Sequence, residues 1–485
     1  MSRHRVARTL VYSHRWLGIA LGVIFVTWFA SGLVMVYARM PVLDPAERLA
    51  ALAPLDTAAV RLEPGAVADL ASSFTLTTFG GRPVYRVITG GTRRTFFADT
   101  GDPLAPLSPA DAVLAAKPFA GRATVRYGAR LEDADQWTFS VRGRMPLHRL
   151  DIADEEGTQL YVAELGGDAV MKTTTRGRRW GYLGAVVHWF YFTPFRRQSA
   201  LWSAVIIWVS IAGTVTALAG FAWGLWRLSP IQRYRLRRQF SHTPYAGLMR
   251  WHHYAGLVFG LTTIAWVFSG LLSMDPWKWS PATTASRAQR EAVSHGPLRP
   301  PDVTLAALRR ALAAFGVAPP REIDLIRFRG HHYLRADAGL VAVDAPAQGP
   351  VEMLRADDML GAAHDAMPGV AVDGVYWMSE YDAYYYSRGR LNLPVLRVRF
   401  GDPQRTWLYL DPRRGAIVRK EERLSRLNRW LYHGLHSLDF PFLYHRRPLW
   451  DLVVIALSAG GILLSATTMS AAYRRLRRGM RSWSA

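Results

Sequence analysis

The stretch His14-Arg15-Trp16-Leu17-Gly18, continuing apolar through Gly22, Trp28, Ser31, Gly32 and Leu33, decides how the rest of the chain is read. It returns 238 positions later (14 to 252): His252, Gly256, Gly260, Trp266, Ser269, Gly270 and Leu271 stand opposite His14, Gly18, Gly22, Trp28, Ser31, Gly32 and Leu33 without a gap. On a helix, steps of four and eight residues fall on nearly the same face. Each histidine therefore looks down a groove floored by two glycines, with room beside it for something flat and bulky. The repetition implies two such faces meeting around one group.

The surrounding composition is that of a membrane protein. Half of the 485 residues are hydrophobic, yet the formal charge is +23. Four apolar runs, 16–37, 201–226, 252–274 and 449–469, reach the length of about 20 residues that a spanning helix needs. The first is too long for a signal-peptide core and reads as a retained anchor. Segments 1–15, 227–250 and 471–485 carry 4, 6 and 5 arginines and no acidic residue. The positive-inside rule places them in the cytoplasm and residues 38–200 and 275–448 outside, in the periplasm if the membrane is a bacterial inner membrane. Cysteine is absent, which excludes disulfides, Cys-ligated clusters, thiolate haem ligation and c-type haem attachment.

Taken in order, the chain gives a tail (1–15), a first membrane helix (16–37) and an external region (38–179). Strand-like pieces lie at 83–88, 94–99, 137–141, 147–152 and 159–163, and Ser108 with Pro109 opens a helix running to about Lys117. An aromatic-rich interfacial helix (180–197) precedes the second membrane helix (201–226) and a cytoplasmic loop (227–251). The design then repeats: membrane helix 252–274, external domain 275–427, interfacial helix 428–446, membrane helix 449–469 and tail 470–485. At an offset of 248, Pro146, Thr158, Tyr161, Gly167, His188 and Trp202 match Pro394, Thr406, Tyr409, Gly415, His436 and Trp450. The fold class expected is an α-helical membrane protein of four helices in tandem-duplicated halves, with two external α+β domains. Both halves start on the same side, so the repeat axis lies along the membrane normal.

Repeat alignment also sorts the fourteen histidines. His14 matches His252 and His188 matches His436, whereas His253 falls opposite Arg15 and His433 opposite Ala185. Two-fold symmetry brings each like pair face to face, one near each membrane surface, separated by something on the order of the ~30 Å hydrocarbon core. Two imidazoles on opposed helices are the axial set of a b-type haem, whose porphyrin supplies the other four ligands. Zinc needs four ligands, and nothing nearby completes such a set. Gly18, Gly22, Gly256 and Gly260 suit a macrocycle better than a small ion. An iron holding two histidines has no open position, which points to electron transfer through two haems b. The plain alternative for the glycines, Ser31, Trp28 and Trp266 is helix packing. His433 and His253 stand as substitute ligands or propionate partners, while Arg196, Arg197, Arg446 and Arg447 suit either propionates or lipid headgroups.

Outside the membrane, Tyr381-Asp382-Ala383-Tyr384-Tyr385-Tyr386-Ser387-Arg388 forms an aromatic and basic stretch. Tyr384, Tyr386 and Arg388 are candidates for docking an acidic or catecholate ligand; the alternative is that alternate tyrosines fill the core face of a strand. No nucleotide-binding fingerprint, P-loop, H-E-x-x-H or G-x-S-x-G is present. Electrons must come from a separate donor, a quinol or a cytoplasmic reductase. Membrane lipid is the expected surrounding and nucleic acid is not an expected partner.

The H-R-W-L-G and H-H-Y-A-G helix starts, the Tyr384–Tyr386 stretch and the run from Asn428 through His433, His436 and Asp439 to Pro441 resemble the PepSY-associated transmembrane helix family, also described as iron-regulated membrane proteins. The resemblance covers nearly the whole chain, with 108–170 and 355–418 as PepSY-like units. It implies a di-haem inner-membrane reductase of ferric siderophores, with His14, His252, His188 and His436 as carried-over ligand candidates. Two other functions remain open: a haem-free regulatory or binding protein that restrains a protease or senses a ligand, and a transporter. The membrane runs lack the broken helices and buried charges of a transporter, with only Asp451 at an edge.

Overall fold

None of the four apolar runs contains proline; Pro41, Pro194, Pro230, Pro244, Pro276 and Pro448 stand beyond their ends. With every backbone group able to bond within the run, each has no cause to break. In the computed structural model, which describes residues 3–236, 239–316, 319–386 and 391–483, each run is one continuous helix. The four are Arg3–Tyr37, Ser199–Arg227, Leu248–Ser273 and Leu449–Trp483. All are long and apolar enough to cross a membrane. Even the shortest, of 26 residues, is about 39 Å long at 1.5 Å per residue. The expected separate tails are instead helical: no proline or glycine interrupts 3–15, so the first helix begins at Arg3 and His14 lies well inside it.

The four long helices form one compact unit with residues 179–280 and 427–485. The first packs on the second and fourth, and so does the third. Leu21, Phe25, Phe29 and Val267 make the core between them. Small residues set the approach: a Cβ on Gly461 would overlap the Phe29 ring, and its counterpart Gly213 would meet Val267 at 3.0 Å. The aromatic segments that precede the second and fourth helices are not simple helices. Each holds a π-helical turn, Tyr182–Val186 and Trp430–Gly434, then a short turn bearing the histidine. Each stops on a left-handed residue, Phe190 (φ 55°) or Leu438 (φ 49°).

Residues 41–178 and 281–426 form the second unit. In the first half, β1 (Ser73–Phe79), β2 (Arg82–Thr89) and β3 (Thr92–Phe97) precede the helix Pro109–Ala120. That helix is closed at its start by a Ser108–Asp111 capping box, which satisfies otherwise orphaned N–H groups. Then come β4 (Val125–Leu131), β5 (Leu147–Ile152), β6 (Gln159–Ala163) and β7 (Ala169–Thr173). A short hairpin of β8 (Tyr234–Leu236) and β9 (Gln239–Ser241) lies between the halves. The second half supplies β10 (Ile323–Phe328), β11 (His331–Ala336) and β12 (Gly339–Ala342), the helix Ala356–Ala366, and β13 (Val372–Met378), β14 (Val395–Phe400), β15 (Trp407–Asp411) and β16 (Ala416–Glu421).

The two halves are not separate domains, as the sequence suggested. Their first three strands join in one six-stranded sheet, β12-β11-β10-β1-β2-β3. At the antiparallel seam Thr75 pairs with Asp324 and its hydroxyl donates to that carboxylate at 2.7 Å, while Phe74 faces Leu325 and Leu76 faces Ile323. This is the self-complementary contact of a two-fold dimer, here within one chain. The remaining strands form two antiparallel meanders, β4-β5-β6-β7 and β13-β14-β15-β16, each packing one face on its repeat helix. The strand expected at 137–141 is absent. Asp135 accepts from the N–H groups of Trp137 and Thr138 and from the Thr138 hydroxyl, a local turn that competes with extended chain. A 3₁₀ segment, Phe139–Arg144, follows.

The seam depends on buried apolar pairs, and Leu325 is 4% exposed within them. Leu325→Ala should lower unfolding stability by about 2–5 kcal/mol, read as a lower chemical-denaturation midpoint of the purified protein; an unchanged midpoint would refute the shared sheet as a core element.

Candidate functional site

The duplicated histidines meet in like pairs. His14, on the first long helix, faces His252, on the third, with ring centres 6.0 Å apart and planes inclined by 36°. Around them a cavity of about 1050 Å³ opens between the four helices. Gly18, Gly22, Gly256 and Gly260 all line it. So the glycine face predicted from the repeat does border an open volume. Two further residues line it: Gly220, where a Cβ would overlap the His14 ring, and Phe221, whose ring lies against Gly260.

His188 and His436 form the second pair, ring centres 6.1 Å apart and planes at 65°. Their seat is the duplicated Trp-x-x-Ser-Gly of the first and third helices. Nδ1 of His188 lies 3.2 Å from the Trp28 carbonyl and 3.2 Å from the Ser31 hydroxyl. Nδ1 of His436 lies 3.1 Å from the Trp266 carbonyl and 3.0 Å from the Ser269 hydroxyl. A Cβ on Gly32 or Gly270 would sit 3.2 Å or 3.5 Å from the corresponding Cε1, so glycine lets each ring lie close to the helix. Trp28, Ser31, Gly32 and their copies thus hold histidines, where sequence alone offered helix packing.

These bonds fix the tautomers. A carbonyl only accepts, so the Nδ1 atoms of His188 and His436 carry the proton and donate it. His14 Nδ1 donates likewise to the Thr216 carbonyl at 3.0 Å. His252 Nδ1 lies 2.9 Å from the Thr467 hydroxyl, which spends its own hydrogen on the Leu464 carbonyl at 2.6 Å. It too must donate. In all four neutral rings the Nε2 lone pair is therefore free, and no Nε2 has a hydrogen-bond partner among the described residues. Fixing one ring nitrogen by a backbone or hydroxyl acceptor is the usual support of a metal-binding imidazole.

The pairs meet the first and third long helices at two separate levels. His14 and Ser31 are 17 residues apart on one helix, as are His252 and Ser269 on another, about 25 Å of helical rise. Phe25, Trp28, Phe29 and Trp266 pack in the interval, with Phe29 and Trp266 ring centres at 5.7 Å.

The other expected residues fall elsewhere. His253 is buried, bonds the Gly224 carbonyl through Nε2 at 2.8 Å and stacks on Tyr254. It borders the first cavity without facing a second histidine. His433 lies against the Tyr432 ring, centres 4.4 Å apart. Arg196 stacks on Tyr191 and Trp202, while Arg447 stacks on Trp450 and pairs with Asp451. Residues 381–386 form no strand: Asp382 accepts from the N–H groups of Tyr384 and Tyr385, which turns the chain. Tyr385 is the buried one, stacked on Tyr409 at 5.1 Å. Tyr384 meets Trp407 edge-on, Tyr386 lies under Arg419, and Arg388 falls outside the described residues. No family model and no curated protein matches the chain.

The residues present fit a planar metal-bearing group better than a bare ion. Among the described residues no three His, Cys, Asp or Glu side chains gather to hold a metal, so only two protein donors are available at each pair. An imidazole nitrogen lies about 2 Å from a first-row metal, so two rings facing across one ion have centres roughly 6 Å apart. Both pairs have that spacing. The segment that carries His436 is clamped by a buried ion pair between Arg429 and Asp439, 3.4 Å apart with side chains 3% and 5% exposed. Asp439→Ala leaves that guanidinium buried without its counter-charge and should cost about 3–5 kcal/mol, measured as a fall in thermal unfolding temperature. Equal stability of variant and parent would rule out the clamp.

Proposed function

We propose that the protein is an inner-membrane electron carrier that holds two b-type haems and reduces ferric siderophore iron in the periplasm. The observation that carries this reading is the pair of symmetry-related histidine couples, each with ring centres near 6 Å and free Nε2 lone pairs, at two levels of a unit with four membrane-length helices. The resemblance to PepSY-associated transmembrane helix proteins points the same way, with the two meanders and their helices as the PepSY-like units. The arginine-rich helix ends favour the cytoplasm for the His14–His252 end and for both termini. The sheet-bearing unit then belongs to the periplasm.

In this reading His14 and His252 would hold one haem and His188 and His436 the other, through Nε2. A haem held at either pair would supply a one-electron ferric/ferrous couple, which suits electron transfer. Thr216, Thr467, Ser31 and Ser269, with the Trp28 and Trp266 carbonyls, keep Nδ1 protonated and the rings oriented. Gly18, Gly22, Gly256 and Gly260 leave the width for a macrocycle. Arg15 and Arg474, at the same cavity, provide cations for carboxylate substituents. The aromatic core shuts water out of the interval between the sites.

One electron per turnover converts a ferric chelate to the ferrous complex, which holds its metal less tightly. A quinol or a cytoplasmic reductase is the source of that electron. His188→Ala and His436→Ala should each retain the haem of the other pair and lose at least 90% of ferric-chelate reduction by membranes or by chemically reduced protein. Undiminished reduction in both variants would exclude this exit for electrons.

A further inference from the structure

The outward face of the second meander carries a charge pattern that its fold does not require. Tyr376 on β13, Arg397 and Arg399 on β14 and Trp407 on β15 are cross-strand neighbours, Tyr376 opposite Arg397 and Arg399 opposite Trp407. The Arg399 guanidinium lies 4.5 Å from the Tyr376 ring centre and 4.3 Å from that of Trp407. Arg397 lies 4.6 Å and 5.3 Å from the same two rings. Arg426 stacks on Trp407 at 4.3 Å. Three guanidinium groups thus share two aromatic rings, and Tyr376 is 40% exposed at their edge.

Only one of the three is neutralised. Arg397 pairs with Asp382 at 2.5 Å. Arg399 touches the Tyr376 hydroxyl at 3.5 Å and has no carboxylate partner among the described residues. Arg426 donates to the carbonyls of Arg405 and Glu421, again without an ion pair. Burial, with the neighbouring Arg399 charge adding to it, lowers the Arg426 pKa against the opposing charge of Glu421, which is itself paired with Arg419. Like charges placed together against a sheet need an anion to balance them.

The first meander is the internal control. At the 248-residue offset, Arg149, Asp151, Gln159 and Arg178 occupy the positions of Arg397, Arg399, Trp407 and Arg426, and Ala129, opposite Arg149, stands where Tyr376 stands opposite Arg397. There a carboxylate stands on the face itself: Gln159 donates to Asp151 at 2.9 Å, Arg149 approaches the same carboxylate at 3.9 Å, and Arg178 bonds Thr173 and the Gly157 carbonyl. The same four-stranded fold is built with an aspartate where the second copy has Arg399, and with alanine and glutamine where it has two aromatic rings. Folding therefore does not explain the substitutions.

We infer that the Tyr376–Arg397–Arg399–Trp407–Arg426 face binds an anionic ligand with a planar conjugated surface, and that the acceptor of this protein is a ferric catecholate rather than a neutral chelate. Guanidinium N–H groups suit paired anionic oxygens, and the exposed part of the Tyr376 ring offers a stacking surface. The inference takes from the proposed function only that the ligand is a ferric chelate.

The test is equilibrium binding to the full-length detergent-purified protein, using the anionic ferric complex of 2,3-dihydroxybenzoate and, in parallel, the neutral ferric complex of acetohydroxamate. Haem content is measured on the same samples. The catecholate complex should bind at least tenfold more tightly than the hydroxamate one, with affinity falling as salt is raised. Arg399→Asp with Trp407→Gln, the residues of the first copy, should weaken catecholate binding at least tenfold, and Arg149→Gln in the first copy should leave it unchanged. If the double variant unfolds, Arg399→Gln alone is read in its place. Equal affinity for the two complexes, or full affinity in the folded variants, overturns the inference. Catecholate bound selectively by a protein that takes up no haem keeps this face and discards the reductase reading; two haems with no selectivity does the reverse.

Discussion

The arrangement rests on one kind of hydrogen bond, the donation from a histidine Nδ1 to a fixed acceptor on a neighbouring helix. A buried imidazole without such a bond is free to turn and to exchange tautomers. With it, the ring is held and one lone pair is aimed away from the backbone. The first pair uses the Thr216 carbonyl and the Thr467 hydroxyl. The second uses the Trp28 and Trp266 carbonyls backed by Ser31 and Ser269. The serines donate their own hydrogens back to helix carbonyls, Ser31 to Thr27 and Ser269 to Trp266, so they can only accept from the rings. Each ring is thereby committed to one state.

Duplication supplies the geometry that the hydrogen bonds then fix. In the helical unit the first and third helices each pack on the second and fourth, which brings equivalent histidines together. The π turns at Tyr182–Val186 and Trp430–Gly434 shift the register of the segments that carry His188 and His436, a local departure found at functional sites. Gly184 allows the close approach, since a Cβ there would meet Val34 and Met35 at 3.2 Å. In the sheet unit the same symmetry appears as the β1–β10 seam. Where the copies have stayed alike they build paired sites. Where they have diverged, as at Asp151 and Arg399, one copy has acquired a different surface.

Much of this was legible in the sequence, for a physical reason. The four long helices follow from apolar runs free of proline. The two histidine pairs follow from residues repeated at a constant offset, and the strands 147–152 and 159–163 stand where alternation put them. The supports were less legible. Thr216 and Gly220 align with Leu464 and Thr468, so comparison of the halves passed over them although Gly220 makes room for His14. Trp28 and Ser31 were visible as repeats, but their carbonyl and hydroxyl roles depend on where a distant segment docks. The shared sheet depends on pairing between residues about 250 positions apart, which no local pattern encodes. At 137–141 and 381–386, Asp135 and Asp382 side chains override the extended conformation that neighbouring aromatic residues favour.

The central claim is that each histidine pair holds one haem through the two free Nε2 atoms. Its most direct test is the visible spectrum of the protein purified from haem-replete cells, oxidised and dithionite-reduced, with haem-to-protein stoichiometry. The account predicts reduced b-type bands of bis-histidine iron at about two haems per chain. A colourless protein that takes up no haem on reconstitution would contradict it.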